Sequence, residues 1–344
     1  MDETKTTAGN EPELVPPHGA SPDGGKPGEP DVARLVLQCA IPFFLSSMKR
    51  LEHLSGGDSL SGLLTLGILE ANVRHVSRDP VLARRHAQFE TPPPDETRRP
   101  ISARALAASL GVPYDAVRRR VAALEAAGIC VRTAKGVYVP SAVLMTEANR
   151  GALARSYLAV SQLSREIITL APGLDLTGGV AAPPDVGPLT APERLAARIT
   201  VEYVLRFAER LVGAAGDFSR GLILLAILQH NFEPLRQDPV LTRRYGGLKR
   251  APPDDMLAPI SVLALAGVIG HPFETTRRHV NHLIGDRLCA RTRGGVIAPA
   301  AALQSELAQG LMAAHLGDLQ RAFGAMARLG LVFDGKQEPP AARD

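Results

Sequence analysis

Tryptophan is absent from this 344-residue chain, and aromatic residues make up only 4% of it. With hydrophobic residues at 45%, the interior must close mainly through aliphatic side chains, which favours packed helices. Cysteine is scarce as well, and three residues do not make a disulfide framework. Cys39, Cys130 and Cys289 each lie among apolar neighbours and are expected to be buried, reduced thiols. Long apolar runs are lacking. The strongest, "SGLLTLGILEANV" and "GLILLAILQHN", are too short to span a bilayer and end in polar residues, so no membrane span is expected. The first thirty residues, rich in Pro, Gly, Asp and Glu, have neither the basic start nor the apolar stretch of a signal peptide, and a cytoplasmic location is the expectation. A phosphate-binding loop, a dinucleotide glycine fingerprint, a zinc-protease helix and a nucleophile elbow are all missing. Neither an enzyme nor a cofactor is expected. His279 and His282 are three apart with no third ligand in sight, so no metal is expected either.

What is present is a repeat. Residue i matches residue i+159: "DPVLARR" (79–85) with "DPVLTRR" (238–244), "PIS" (100–102) with "PIS" (259–261), Asn72 with Asn231, Arg118-Arg119 with Arg277-Arg278, Gly57-Asp58 with Gly216-Asp217. The register holds without a gap from about 57 to 140 and extends more weakly to about 35 and 170. Two duplicated domains are expected, 32–170 and 193–334, joined by a linker at 171–192 whose composition is that of a loop. Segments 1–31 and 335–344 are expected to be disordered.

Each copy reads alike. Amphipathic helices are expected over 32–54 and 193–213, and again over 58–77 and 217–235. Asp79 and Asp238 cap short helices that open on Pro80 and Pro239. A proline-rich loop follows, then two short helices, a hairpin, and a closing helix over 141–170 or 300–329. In copy one, Ser102 is the cap of the first short helix and Gly111 its stop. Pro113 opens the second, whose apolar stripe is Val117, Val121 and Leu124, with Asp115, Arg118 and Arg119 opposite. "ICVRTAKGVYVP" then alternates around a Lys-Gly turn.

An "LGV" turn, an Arg-bearing helix and "LEAAGI" leading into a hairpin resemble the winged helix-turn-helix of MarR-, GntR- and IclR-type bacterial regulators. The resemblance covers about 40 residues per copy. It implies a mainly α fold with small β-wings: two duplicated winged-helix domains, each flanked by packing helices, arranged as a pseudo-two-fold pair. It also implies a sequence-specific transcriptional regulator of double-stranded DNA, with the second short helix in the major groove and the wing over the backbone.

Charge supports this independently. Eight basic residues face two acids between Thr97 and Pro140 (Arg98, Arg99, Arg104, Arg118, Arg119, Arg120, Arg132 and Lys135, against Asp115 and Glu125). Between Pro259 and Pro299 five face two, while the whole chain carries only +4. The candidate DNA-contacting set is Tyr114, Asp115, Arg118, Arg119, Arg120, Arg132 and Lys135 in copy one, and Glu274, Arg277, Arg278, Asn281, Arg291 and Arg293 in copy two. Two readings stay open for Asp115 with Arg119 and for Glu274 with Arg278: exposed i,i+4 ion pairs, or carboxylates that orient an Arg or accept from cytosine. Arg120 flanks the apolar stripe and suits phosphate contact or solvent. The paired arginines at 84–85 and 243–244 suit a solvated face.

Copy two departs from the pattern. Arg287 replaces Gly128, His279 replaces Arg120, and Gly267 weakens the first short helix. A left-handed Arg287 would cost on the order of 1 kcal/mol, unless Gly285 ends the helix earlier. The alternatives are a tandem winged-helix protein-interaction module, like the kleisin partners of bacterial condensin, and a plasmid replication initiator. Further pairing into a homodimer, and any small-molecule effector, are left open by the sequence.

Overall fold

A computed structural model describes residues 31–333 apart from 185, 188 and 190. The expected disordered segments, save Asp31, lie outside these residues. The chain is mainly helical. Copy one runs α1 (Ala33–Ser55), α2 (Ser59–Arg78), α3 (Pro80–Arg85), α4 (Ala103–Leu110), α5 (Tyr114–Ala126), β1 (Val131–Thr133), β2 (Gly136–Tyr138), α6 (Ser141–Leu144) and α7 (Glu147–Leu170). Copy two runs α8 (Glu193–Ala215), α9 (Phe218–Asn231), α10 (Glu233–Arg236), α11 (Pro239–Arg244), α12 (Val262–Ile269), α13 (Phe273–Gly285), β3 (Ala290–Thr292), β4 (Gly295–Ile297), α14 (Ala300–Leu303) and α15 (Glu306–Arg328).

The element starts follow from capping. Asp58 accepts from Ser61 N at 2.8 Å, Asp79 from Val81 N at 2.9 Å, Ser102 from Ala105 N at 3.1 Å, and their counterparts Asp217, Asp238 and Ser261 do the same. Three details differ from expectation. The expected closing helices are each split, because Thr146 and Ser305 cap new helices and start α7 and α15. The helix expected over 217–235 breaks at Phe232, since Pro234 cannot donate into it, leaving the separate turn α10. Finally, α1 and α8 correspond at a spacing of 160, not 159: their left-handed terminal residues are Gly56 and Gly216, so Gly57 has no counterpart.

Two small antiparallel hairpins pair Val131 with Tyr138 and Ala290 with Ile297. Ile101 and Ile260 add a bridge to each. Gly136, at φ 135°, is packed so tightly on the Ile101 carbonyl that a Cβ would lie 2.4 Å from its oxygen. Buried Asn72 ties each layer to the next: its Nδ2 donates to Arg99 O at 2.9 Å, and its Oδ1 accepts from Val139 N at 3.0 Å. Asn231 makes the same bonds to Ala258 and Ala298. The three cysteines are buried and free. Among the described residues no single helix is long and apolar enough to cross a membrane.

The copies do not fold as separate bodies. Helix α1 packs on α2 and α7 of its own copy and on α9 and α15 of the other, and α8 packs reciprocally on α9, α15, α2 and α7. One apolar cluster runs through both, from Leu35 and Phe44 to Phe207 and Met326, with Leu174 and Leu176 of the 171–192 segment buried in it. A smaller cluster around Leu265, Val280 and Val296 fills the far end of copy two.

Two buried arginines lock the exchange. Arg34 of α1 donates to Gly247 O at 2.5 Å and Arg250 O at 2.6 Å, in the loop after α11. Arg194 of α8 donates to Phe89 O at 2.6 Å and Gln88 O at 3.0 Å, in the loop after α3. Beside them Leu35 N donates to Gly246 O and Leu195 N to Ala87 O, so the two contacts are matched atom for atom. Each guanidinium satisfies loop carbonyls that no secondary structure could reach. Deleting one leaves those carbonyls dry, at roughly 1–3 kcal/mol apiece. Arg34→Leu and Arg194→Leu are each expected to lower unfolding free energy by about 2–4 kcal/mol in chemical denaturation, while an exposed control, Arg85→Leu, changes it by less than about 0.5 kcal/mol.

Candidate nucleic-acid interface

The surface in question is carried by α5 and α13. Val117, Val121 and Leu124 of α5 are buried, and so are Thr276, Val280 and Leu283 of α13, which fixes the opposite faces outward. Helix α5 rests on α4 and α2, and α13 rests on α12 and α9. Gly111 and Gly270, both left-handed, make the tight turn between the paired helices. Gly128 and Arg287 take left-handed conformations at matching places, φ 72° and 60°. Helix α13 thus does not end early, and Arg287 bears the strain that a glycine relieves in copy one.

Arg119 and Arg278 stand at equivalent positions, exposed, with no side-chain partner among the described residues. Lys135 and Arg293, on the hairpin turns, are exposed and unpartnered in the same sense. Arg118 lies 3.8 Å from Asp115, and Arg277 donates to Glu274 at 2.8 Å. The acids therefore pair at i,i+3, and the expected i,i+4 pairs with Arg119 and Arg278 do not form. All four partners stay exposed, so these are weak, screened contacts. Arg132 donates to Glu125 at 2.9 Å and Arg291 to Asn281 at 2.8 Å, each still on the surface. Tyr114, half-exposed, lies under the Arg104 guanidinium, 5.7 Å from the ring centroid.

Three expectations are corrected. Arg120 does not face outward for an anion: it grips the Asp58 carboxylate through Nε and Nη2, at 2.5 to 3.2 Å, and ties α5 to the cap of α2. Burial opposes ionisation of Asp58, but bonds from Arg120 and Ser61 outweigh it and hold the carboxyl down at about 2. In copy two Asp217 is served instead by Arg220, with His279 3.9 Å away. Arg98 does not add to the surface charge either. It is buried and bonded to Asp95 and to Pro93 O. Arg84, expected on a solvated face, donates instead to Leu329 O of copy two and Gly187 O of the 171–192 segment.

Sequence reasoning counted Arg104 in the charge balance but did not name it as a contact. It is exposed beside Tyr114, and only its place on the outer face of α4 reveals it. Copy two lacks this charge. Leu263 stands where Arg104 does and is 70% exposed; Val268 of the same helix and Phe273 at the start of α13 are 53% and 43% exposed. One head is cationic across both short helices, and the other is partly apolar.

Elsewhere the strongest titratable cluster is Tyr203, His315 and Asp318. The Tyr203 hydroxyl meets His315 Nε2 at 2.7 Å, and Asp318 is held by Arg210, Arg206 and Arg321. His315 and Asp318 are buried in the shared core, which makes this a packing network. Comparison with protein-family models, with curated proteins and with solved structures found no match.

Burial holds the imidazole of His315 near 4, well under its ordinary 6.5. A depressed histidine contributes stability in full above its unfolded pKa and loses it as pH falls toward the folded value. Stability is thus expected to drop by on the order of 2 kcal/mol between pH 7 and pH 5. Denaturant midpoints at the two pH values check this, and His315→Gln should flatten the difference whatever its own stability.

Proposed function

We propose that the chain is a non-enzymatic, sequence-specific DNA-binding regulator of the bacterial cytoplasm. In this proposal two winged-helix heads form a pseudo-two-fold pair within one chain. The observation that carries the proposal is the pair Arg119 and Arg278: exposed, unneutralised guanidiniums at equivalent points of α5 and α13. Guanidinium suits the task because its planar fork donates bidentately to guanine O6 and N7 or to phosphate oxygens. In this reading Lys135 and Arg293, exposed on the turns of the two hairpins, meet phosphates beside a groove. The reciprocal packing of α1 and α8 supports a fixed spacing of the heads, as two half-sites one helical turn apart require.

A second reading has one specific observation behind it. Leu263, Val268 and Phe273 give copy two an apolar outer surface that suits a protein contact. In that case copy one reads DNA and copy two docks a partner.

Binding to a random duplex library is expected to fall about 10³-fold between 50 and 200 mM salt, the response of a contact that neutralises about six phosphates. Arg119→Ala should cost about 1–3 kcal/mol of specific affinity, whereas Arg120→Ala should lower thermal stability and leave affinity unchanged. Salt-independent binding, or full affinity in Arg119→Ala and Arg278→Ala alike, would overturn the DNA assignment. Full affinity in Arg278→Ala alone would move copy two to the docking role.

A further inference from the structure

Between the copies lies a cavity of about 200 Å³. Copy one supplies most of its wall, with Leu51 and Leu54 from α1, Leu69 and Val73 from α2, and Leu153 from α7. Helix α8 of copy two closes it with Arg194, Ala197, Arg198 and Val201. No aromatic ring lines it. An apolar cavity of about 150 Å³ holds benzene, so this one has room for a chain of roughly six to eight carbons.

Its polar part is cationic. Arg98, Arg194 and Arg198 all line it. Arg98 is 5% exposed, pairs with Asp95, and keeps a buried Nη1 with no partner. Arg198 donates to His86 O at 2.5 Å and Ala83 O at 2.7 Å and keeps a buried Nε with no partner. Arg194 bonds only carbonyls and the Met145 thioether. Among the described residues neither Arg194 nor Arg198 forms an ion pair. Burial, and then the charge of the neighbouring arginine, lowers both to about 10. The acid in the wall, Glu70, is already clasped by Arg74 through both oxygens. Of the three guanidiniums only Arg98 is bonded to a carboxylate, Asp95, while Glu90, bonded to Arg150, acts on Arg194 from beyond bonding distance.

The duplication supplies an internal control. The equivalent cavity, walled by Arg34, Leu37, Gln38, Leu228, Phe232 and Met312 with their neighbours, measures about 70 Å³. There Gln38 stands in place of Arg198, and Leu257 occupies the position of Arg98. Phe232 and Met312 replace Val73 and Leu153 and fill the space. One member of the pair is large and holds three arginines; the other is small and holds one, Arg34.

We propose that the larger cavity binds an amphipathic organic anion, a medium-chain aliphatic carboxylate, whose head pairs with the Arg98, Arg194 and Arg198 guanidiniums and whose chain lies on the leucines. Nothing in this depends on the heads binding DNA, and the ligand would meet both copies at once.

Calorimetric titration of the full chain with octanoate tests it. One equivalent should bind and raise the melting temperature. The neutral 1-octanol should bind at least about tenfold more weakly, because charge-assisted bonds are lost. Arg198→Gln, which installs the residue of the smaller cavity, should weaken octanoate by a similar factor. Leu153→Trp, which fills the space from an apolar position, should abolish binding while helical circular dichroism is retained; it carries the test should Arg198→Gln fail to fold. No binding of octanoate at millimolar concentration, equal binding of the alcohol, or undiminished binding in folded Leu153→Trp would overturn the assignment.

Discussion

Everything in this architecture hangs on an exchange of helix N-termini. A copy alone would leave a loop of bare carbonyls after α3 or α11, and those groups have to find donors or water. The donor is an arginine that comes from the other copy: Arg194 for the loop at 86–89, Arg34 for the loop at 245–250. A buried guanidinium is expensive to desolvate, and only several well-placed acceptors repay that. Arg34 and Arg194 reach these acceptors because α1 and α8 have crossed over. Packing and hydrogen bonding therefore demand the same arrangement, and neither half can satisfy itself alone.

That exchange decides how the outer elements are held. Helix α2 belongs to the shared core on one face and supports α4 and α5 on another. Asn72 and Asn231 then fasten the hairpins to α2 and α9, and Arg120 fastens α5 to Asp58. A chain of short, buried polar contacts leads from the crossed helices to the exposed cationic faces. On α5, α13 and the hairpin turns, Arg119, Arg278, Lys135 and Arg293 are exposed cations that this scaffold leaves without a side-chain partner among the described residues.

Much of this was legible in the residues themselves. The 159-residue repeat, the Asp and Ser caps, the Gly111 turn and the stripe of Val117, Val121 and Leu124 are local patterns, and local patterns survive folding. What stayed hidden was non-local. Arg120 and Arg84 look like surface charge in a basic stretch, yet each is held by groups that the fold brings to it, and Arg98, bonded to nearby Asp95 and Pro93 O, is covered by the elements packed around it. The slip from 159 to 160 between α1 and α8 blurs the repeat where Arg34 and Arg194 match, so the pair that locks the molecule gave no signal of its own. The cavity is invisible in the same way, since its wall comes from both copies and its charge from residues 98, 194 and 198.

Duplication also frees the copies to diverge, and they have done so in one direction. In a homodimer a substitution appears twice; here it appears once. Copy one keeps Arg104 on its outer face and the roomy, cationic cavity. Copy two has Leu263 on that face, a smaller cavity, and Arg287 strained where glycine would be relaxed. The backbone architecture and the crossed clamp are common to both, because losing either member would break the shared core. Divergence includes positions where one copy can change without the other, among them the outer surfaces and the two cavities. Those are also the positions from which a chain with one core can present two different faces to its partners.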